Sequence, residues 1–301
     1  MLSEKNSTQI HIDLGDELTD TAALLHIPSK DVKIWGPRLR FSARTDEIED
    51  FYSEIMPYLR PFILYGSGDF HHLSALWIRR IQEPFVLLSF DNHPDWDTKP
   101  PKWCCGGWIN RALESGWLES AQVWGCGNFE LNWPHNLFSP GRALQSGRLQ
   151  IFSWRERYPN LSVCQDGRIS RETWRSIFLQ QLSRWHGQSI YVTIDLDCLD
   201  AREFFSNWEH GLFTVDDLCW AVTQIRRYAR LIGGDICGAY SDPEFSRITQ
   251  RLVSTLDHPK ITIPSVPAAM QNNYRAICRL WPLLAGTDEH EPGNDQQDAV
   301  P

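Results

Sequence analysis

The run Pro84-Phe85-Val86-Leu87-Leu88-Ser89-Phe90 passes directly into Asp91-Asn92-His93-Pro94-Asp95. A second run, Ser189-Ile190-Tyr191-Val192-Thr193-Ile194, passes in the same way into Asp195-Leu196-Asp197-Cys198-Leu199-Asp200. Short continuous apolar runs of this kind read as strands buried on both faces, the signature of a parallel sheet covered by helices. Each delivers its acids to a strand end. A buried carboxylate without a counter-charge is very costly, and a pair of divalent cations is the simplest remedy.

Working outward, further short runs alternate with longer helical patterns, which predicts βαβ units. Expected strands are Gln9–Ile12, Val32–Trp35, Pro61–Tyr65, Gln122–Gly125, Gln150–Phe152 and Leu231–Gly233, besides the two acid-bearing ones. Helical periodicity marks His72–Gln82, Gly107–Ser115, Arg171–Trp185 and Thr214–Tyr228. Thr214 followed by Asp216 and Asp217 is a helix start, with an N-cap hydroxyl and acids at the positive end of the dipole. The expectation is α/β: a three-layer α/β/α sandwich around a mainly parallel sheet, one domain over residues 1–286. Residues 287–301, acidic and almost without apolar side chains, are expected to form a disordered tail.

The 301 residues, 42% of them apolar, suffice for a real core, so the chain reads as a folded, soluble protein. A net charge of −9 without any basic run argues against nucleic acid and favours a cationic or neutral small-molecule substrate. No apolar stretch is long enough to span a bilayer and the first residues are polar, so the expectation is a cytoplasmic protein that does not enter a membrane. Eight cysteines without CxxC pairs read as reduced thiols.

In an extended D-x-H-x-D segment alternate side chains point the same way, so Asp91, His93 and Asp95 converge, as do Asp195 and Asp197. Four carboxylates and an imidazole exceed a tetrahedral zinc site and suit a carboxylate-bridged pair of harder ions such as Mn²⁺. A further ligand is on offer in Gly66-Ser67-Gly68-Asp69-Phe70-His71-His72-Leu73-Ser74, a glycine-rich turn after the third strand.

These three segments, in this order, resemble the metal motifs of the ureohydrolases, the arginases, agmatinases and formimidoylglutamases: G-G-D-H-S, D-A-H-x-D and S-x-D-x-D-x-x-D-P. The resemblance spans roughly residues 60 to 245 and implies an arginase-like fold and a hydrolase with two divalent ions. It implies that Asp91 and Asp195 bridge, that His71 and Asp95 complete one ion, and that His93 and Asp197 complete the other, with His72 as the alternative to His71. Asp200 matches the family's third acid and is expected to cap or orient its loop; Ala201 stands where the family has proline.

Two positions depart from the pattern. Cys105 replaces the histidine of the arginases' H-G step, and is expected either to act as a proton donor or nucleophile or to leave room as a small residue. The glutamate that grips a guanidinium falls at Gly238, so that clamp is missing. Glu209, His210, Asp242 and Glu244 are the candidates to replace it, and Asp97 and Asn128 lie where family members contact the distal part of the substrate. The expected catalytic residues are thus Asp95, Cys105 and His210, and the expected substrate contacts Asp97, Asn128 and Glu209. The expected reaction is hydrolysis of a C–N bond in a small guanidino, amidino or amide compound by a hydroxide bridging two metal ions. The alternatives are a one-zinc deacetylase-like amidohydrolase and a non-catalytic metal-binding descendant. Relatives often form trimers or hexamers, which implies a homo-oligomer.

Overall fold

The computed structural model describes residues 7–157, 167–259 and 266–287. Of the tail expected over residues 287–301, residues 288–301 lie outside the described residues. Every residue of the strand Phe85–Phe90 is buried, and so is every residue of Ser189–Asp195. Their side chains alternate between two apolar cores: Phe85, Leu87 and Tyr191 enter one, while Val86, Leu88, Phe90, Ile190, Val192 and Ile194 enter the other. This is why both runs are continuously apolar rather than alternating.

In chain order the strands are β1 Gln9–Asp13, β2 Ser29–Asp31, β3 Ser42–Ala43, β4 Phe62–Tyr65, β5 Phe85–Phe90, β6 Trp103–Cys104, β7 Leu118–Cys126, β8 Leu149–Trp154, β9 Arg168–Ile169, β10 Ser189–Asp195 and β11 Arg230–Cys237. Nine of them form one sheet in the order β2-β1-β4-β11-β10-β5-β7-β8-β9, and all its pairings are parallel. β3 and β6 make a separate antiparallel pair. Helices Thr45–Ile55, Ser74–Trp77 and Trp108–Ala112 pack on one face of the sheet; helices Trp174–Arg184, Val215–Tyr228 and Val266–Ala285 pack on the other. The result is the expected three layers. No helix of the described residues is long and apolar enough to cross a membrane.

The connectivity places the site. β10 and β11 come late in the chain yet sit between β4 and β5, so the loops leaving β4, β5 and β10 emerge side by side at the carboxyl end of the sheet centre. Ligands of open α/β sheets bind at that end.

Some local expectations are corrected. Val32–Trp35 is not a strand: the polar edge strand is Ser29–Asp31, and a 3-10 turn over Lys33–Trp35 drives Trp35 into the core. The helix expected over His72–Gln82 is a 3-10 turn, a four-residue α-helix at Ser74–Trp77 and another 3-10 turn. All of Gly68–Trp77 is buried, and the chain tightens there to stay beneath the sheet end.

The helix start at Thr214 forms as expected. The Thr214 hydroxyl accepts the Asp217 N–H, and the Asp217 carboxylate accepts the Thr214 N–H at 3.0 Å. Arg171 and Arg175 also bind that carboxylate, at 2.6 and 2.9 Å. Burial would raise the Asp217 pKa, but these donors outweigh it and hold the group below the ordinary range. Asp217→Ala should therefore cost about 1–2 kcal/mol at pH 7, read by urea unfolding. A depressed pKa stabilises above the unfolded-state value, about 3.9, and that contribution is lost as pH falls through the lower folded value. The gap between variant and wild type should close in acid.

Candidate metal centre

The 3-10 turn Gly68–Leu73 starts where β4 ends and aims His71 across the ends of β5 and β10. Gly68 is required there, since a Cβ on it would stand 2.9 Å from Asp195 Oδ2. His71 Nδ1 lies 3.2 Å from Asp91 Oδ2, 3.1 Å from Asp95 Oδ2 and 3.3 Å from Asp195 Oδ2. His93 Nδ1 lies 2.8 Å from Asp197 Oδ2 and 3.6 Å from Asp91 Oδ1. Among the described residues, donor atoms close enough for one ion form three groups, and two of them, His71-Asp91-Asp95 and Asp91-His93-Asp197, share Asp91. Asp91 offers one oxygen to each. Asp195 groups with His71 and Cys237 rather than with both histidines. The structure thus brings all six expected ligands together, with Asp91 as the shared carboxylate.

The fit to cations rests on atoms left without partners. His71 Nδ1 and Asp91 Oδ2 are buried and neither makes a hydrogen bond, although carboxylate oxygens crowd around the ring nitrogen. Crowding also shows in the pKa values. Burial and Asp91 push Asp95 up to about 7; burial raises Asp197 to about 6 with Asp91 adding to it, and burial with Asp197 holds Asp195 well above its ordinary range. Asp91 goes the other way: burial would raise it, but His71 and His93 hold it below the ordinary range. In the absence of a cation the cluster keeps protons on the other acids and on the two imidazoles, and ions of charge two would release them.

Each imidazole is oriented from behind. The Thr193 hydroxyl donates to Asp235 Oδ1 at 2.7 Å, so its oxygen accepts from His71 Nε2 at 3.0 Å and Nδ1 is the nitrogen that an ion would take; without one, burial is outweighed by Asp91 and Asp95, which hold the imidazole well above its ordinary pKa. Asp235 is anchored in turn by Ser74 and Tyr191. Glu209 Oε2 lies 3.2 Å from His93 Nε2 and fixes that ring the same way. Glu209, expected at the substrate, stands behind a ligand-type histidine. His72 is buried with both ring nitrogens unpartnered, and burial lowers its pKa to about 3, so it is His71 that faces the acids.

The acids open on a small cavity with about 20 Å³ of free volume, room for about one water. Beyond the ligand-type residues, Cys105, Glu130, Trp208 and Asp257 wall it. Cys105 is buried, and burial together with Asp69 holds its thiol well above the ordinary range. Asp97 is turned toward Lys99, Asn128 caps the turn Phe129–Leu131 by accepting the Glu130 N–H, and the His210 ring packs on Phe205. None of these three lines the cavity. Asp200 holds Arg202 and orders its loop, while Asp242 and Glu244 line a different cavity.

Sequence reasoning did not single out Glu130 or Asp257. Glu130 Oε2 is buried without a partner, and burial raises this carboxyl to about 8, with His93 opposing and Asp95 and Asp257 adding to the rise. The only local signal is Gly127-Asn128, a turn start directly after β7.

No family model matches the chain. An uncharacterized protein from Thermotoga maritima is 26% identical over 212 residues, 70% of this chain and 71% of that protein. Among solved structures, the chain is similar to formimidoylglutamase from Bacillus subtilis, with 14% identity and a TM-score of 0.56 over 93% of this chain and 87% of that one. Arginase from Bacillus subtilis is 9% identical with a TM-score of 0.54, covering 94% and 100%. Arginase from Medicago truncatula is 13% identical with a TM-score of 0.53, covering 93% and 87%. At such identities it is the fold that the likeness establishes: this chain has the arginase-like fold.

Proposed function

We propose that the protein is a hydrolase that uses two divalent metal ions, one of them suited to Mn²⁺, to cleave a C–N bond in a small guanidino or amidino compound. The observation that carries this reading is the pair of buried donor groups sharing Asp91 at the carboxyl end of an arginase-like sheet. When bound, such ions supply an activated water and stabilise the charge that develops on the attacked carbon's substituents. The chain supplies the rest. Thr193 and Glu209 hold the two imidazoles in the lone-pair orientation; Trp108 donates its indole N–H to Asp95 Oδ2 at 2.6 Å and fixes that carboxylate. Cys105 and Trp208 line the cavity beside the ligand-type acids.

A cationic substrate is favoured over a neutral amide because Glu130 and Asp257 add carboxyls to the wall facing the ligand-type residues. To Glu130 falls the role of the glutamate that the ureohydrolase pattern has at position 238. Its carboxylate would accept N–H groups of a guanidinium or amidinium and release its own proton as that cation binds.

The test is a screen of guanidino, amidino and amide compounds for urea, amide or ammonia release, followed by Glu130→Gln on whatever compound turns over. Glu130→Gln should cut kcat/KM for a cationic substrate by about 10²-fold or more, the usual loss when one partner of a buried charged pair goes. The pH profile gives an independent check. Because the carboxylate is the competent form, wild-type kcat/KM should rise through neutrality and level off at or below about pH 8, bound cations favouring the ionised group. A Glu130→Gln variant that keeps the same limb, or a preference for neutral amides, would overturn the assignment.

A further inference from the structure

Cys237 ends β11, the strand between β4 and β10, and so points into the sheet end where His71 and Asp195 meet. Its thiol is buried, and Sγ lies 3.6 Å from Asp195 Oδ2. With Asp195 and His71 it forms a third group of donor atoms all within 4.8 Å of one another. Cys237 belongs to one apolar core of the sheet and at the same time turns its Sγ toward the Asp195 carboxylate. In the ion-free protein that contact is a weak S–H hydrogen bond to Asp195; the same spacing also places the sulfur where a metal ligand would stand.

The spacing is that of ligands on one ion. With sulfur at about 2.3 Å and oxygen or nitrogen at about 2.1 Å from one ion, neighbouring ligand atoms stand roughly 3.1–3.6 Å apart for sulfur and oxygen and roughly 2.9–3.4 Å apart for nitrogen and oxygen, between octahedral and tetrahedral angles. The observed separations are 3.6 Å for Cys237 Sγ to Asp195 Oδ2 and 3.3 Å for His71 Nδ1 to Asp195 Oδ2. His71 Nδ1, in a side chain only 1% exposed, stands among three carboxylate oxygens without a well-directed hydrogen bond, and Cys237 faces the same point from β11.

We infer that Cys237 is a thiolate ligand of the ion held by His71, so that the two ions of the centre differ. This rests on the two-ion reading above. The His71 ion would have nitrogen, carboxylate and sulfur donors, while the His93 ion would have nitrogen and oxygen only. Thiolate selects softer ions, so zinc, iron(II) or cobalt(II) belongs beside His71 and a harder ion such as manganese beside His93. Forming the metal–sulfur bond breaks the S–H bond and releases the proton to solvent, with no change of oxidation state.

The experiment is cobalt(II) loading of the full-length protein, followed by absorption spectroscopy and metal counting. The expected result is two cobalt ions per chain with a near-ultraviolet sulfur-to-cobalt charge-transfer band that disappears in Cys237→Ser and survives in Cys105→Ser. Zinc affinity should fall about 10- to 100-fold in Cys237→Ser, a loss typical of a disturbed metal site, while one of the two manganese affinities stays unchanged. X-ray absorption at the zinc edge of the wild-type protein needs no variant and should find a sulfur scatterer at about 2.3 Å. Two bound ions with neither band nor sulfur scatterer, or a band that persists in Cys237→Ser, would overturn the thiolate and leave the two-ion reading standing. No cobalt uptake at all would overturn both.

Discussion

Asp91→Ala should remove bound metal and turnover together. Asp91 belongs to a donor group around each of the two histidines, with Oδ2 toward His71 and Oδ1 toward His93. Oδ1 also accepts the His93 N–H at 2.7 Å, which sets the bend of the loop between Asp91 and Asp95. Alanine deletes a ligand from each ion and the anchor of the loop that carries two more. The wild-type protein should carry close to two divalent ions per chain by elemental analysis, and the variant a small fraction of that. Activity should drop by at least about 10³-fold, since both water activation and oxyanion stabilisation depend on the ions. Thermal melting gives a second readout. A ligand present at about a thousand times its dissociation constant stabilises the folded state by roughly 4 kcal/mol. Wild-type Tm should accordingly rise with added manganese or zinc, while Asp91→Ala stays insensitive. An Asp91→Ala protein that retained both ions would sink the shared-carboxylate assignment.

The central layer was readable because a strand covered on both faces has to be continuously apolar, so the acids that end Phe85–Phe90 and Ser189–Ile194 stand out against it. Both clusters could be placed at one sheet end from that alone. What brings them together is the insertion of β10 beside β5, a pairing that strand patterns do not encode and the resemblance supplied. His71 was legible through its glycine turn. Glu130 was not, because its role comes from where the turn after β7 delivers it, over the mouth of loops that belong to other strands. Cys237 carried a signal that is clear only in retrospect: Asp235 and Cys237 share an i, i+2 relation on a buried strand, so they face the same way, and Asp235 is the acid that orders Thr193 behind His71. Edge elements were read least well. At Ser29–Asp31 the strand itself is polar, and the apolar residues that suggested a strand at Val32–Trp35 serve a turn instead.

Gly238→Ala should be far more damaging than the loss of one hydrogen suggests, and Gly238→Glu should not recreate the guanidinium clamp that the ureohydrolase pattern places there. Gly238 has φ +104°, a conformation that L side chains rarely adopt. A Cβ at that position would stand 2.4 Å from Asp195 Oδ1 and 2.5 Å from the Leu196 nitrogen. Those contacts are with a ligand-type carboxylate and with backbone, neither of which has room to yield: Asp195 Oδ1 already accepts the Asp197 N–H at 3.1 Å, and Leu196 is fully buried. Strain of this kind costs on the order of 2–4 kcal/mol. Urea unfolding of ion-free protein should show a loss in that range for Gly238→Ala. Displacement of Asp195 should also weaken metal uptake beside His71, which separates a local effect on the site from general destabilisation. The departure from the family pattern at this position is therefore built into the backbone, and a carboxylate for a cationic substrate has to come from another loop. Glu130 is the one that reaches the cavity with an unpartnered oxygen. A Gly238→Glu protein with wild-type stability and new guanidine turnover would show that the chain at 238 can swing clear of Asp195, and would remove the reason for assigning the clamp to Glu130.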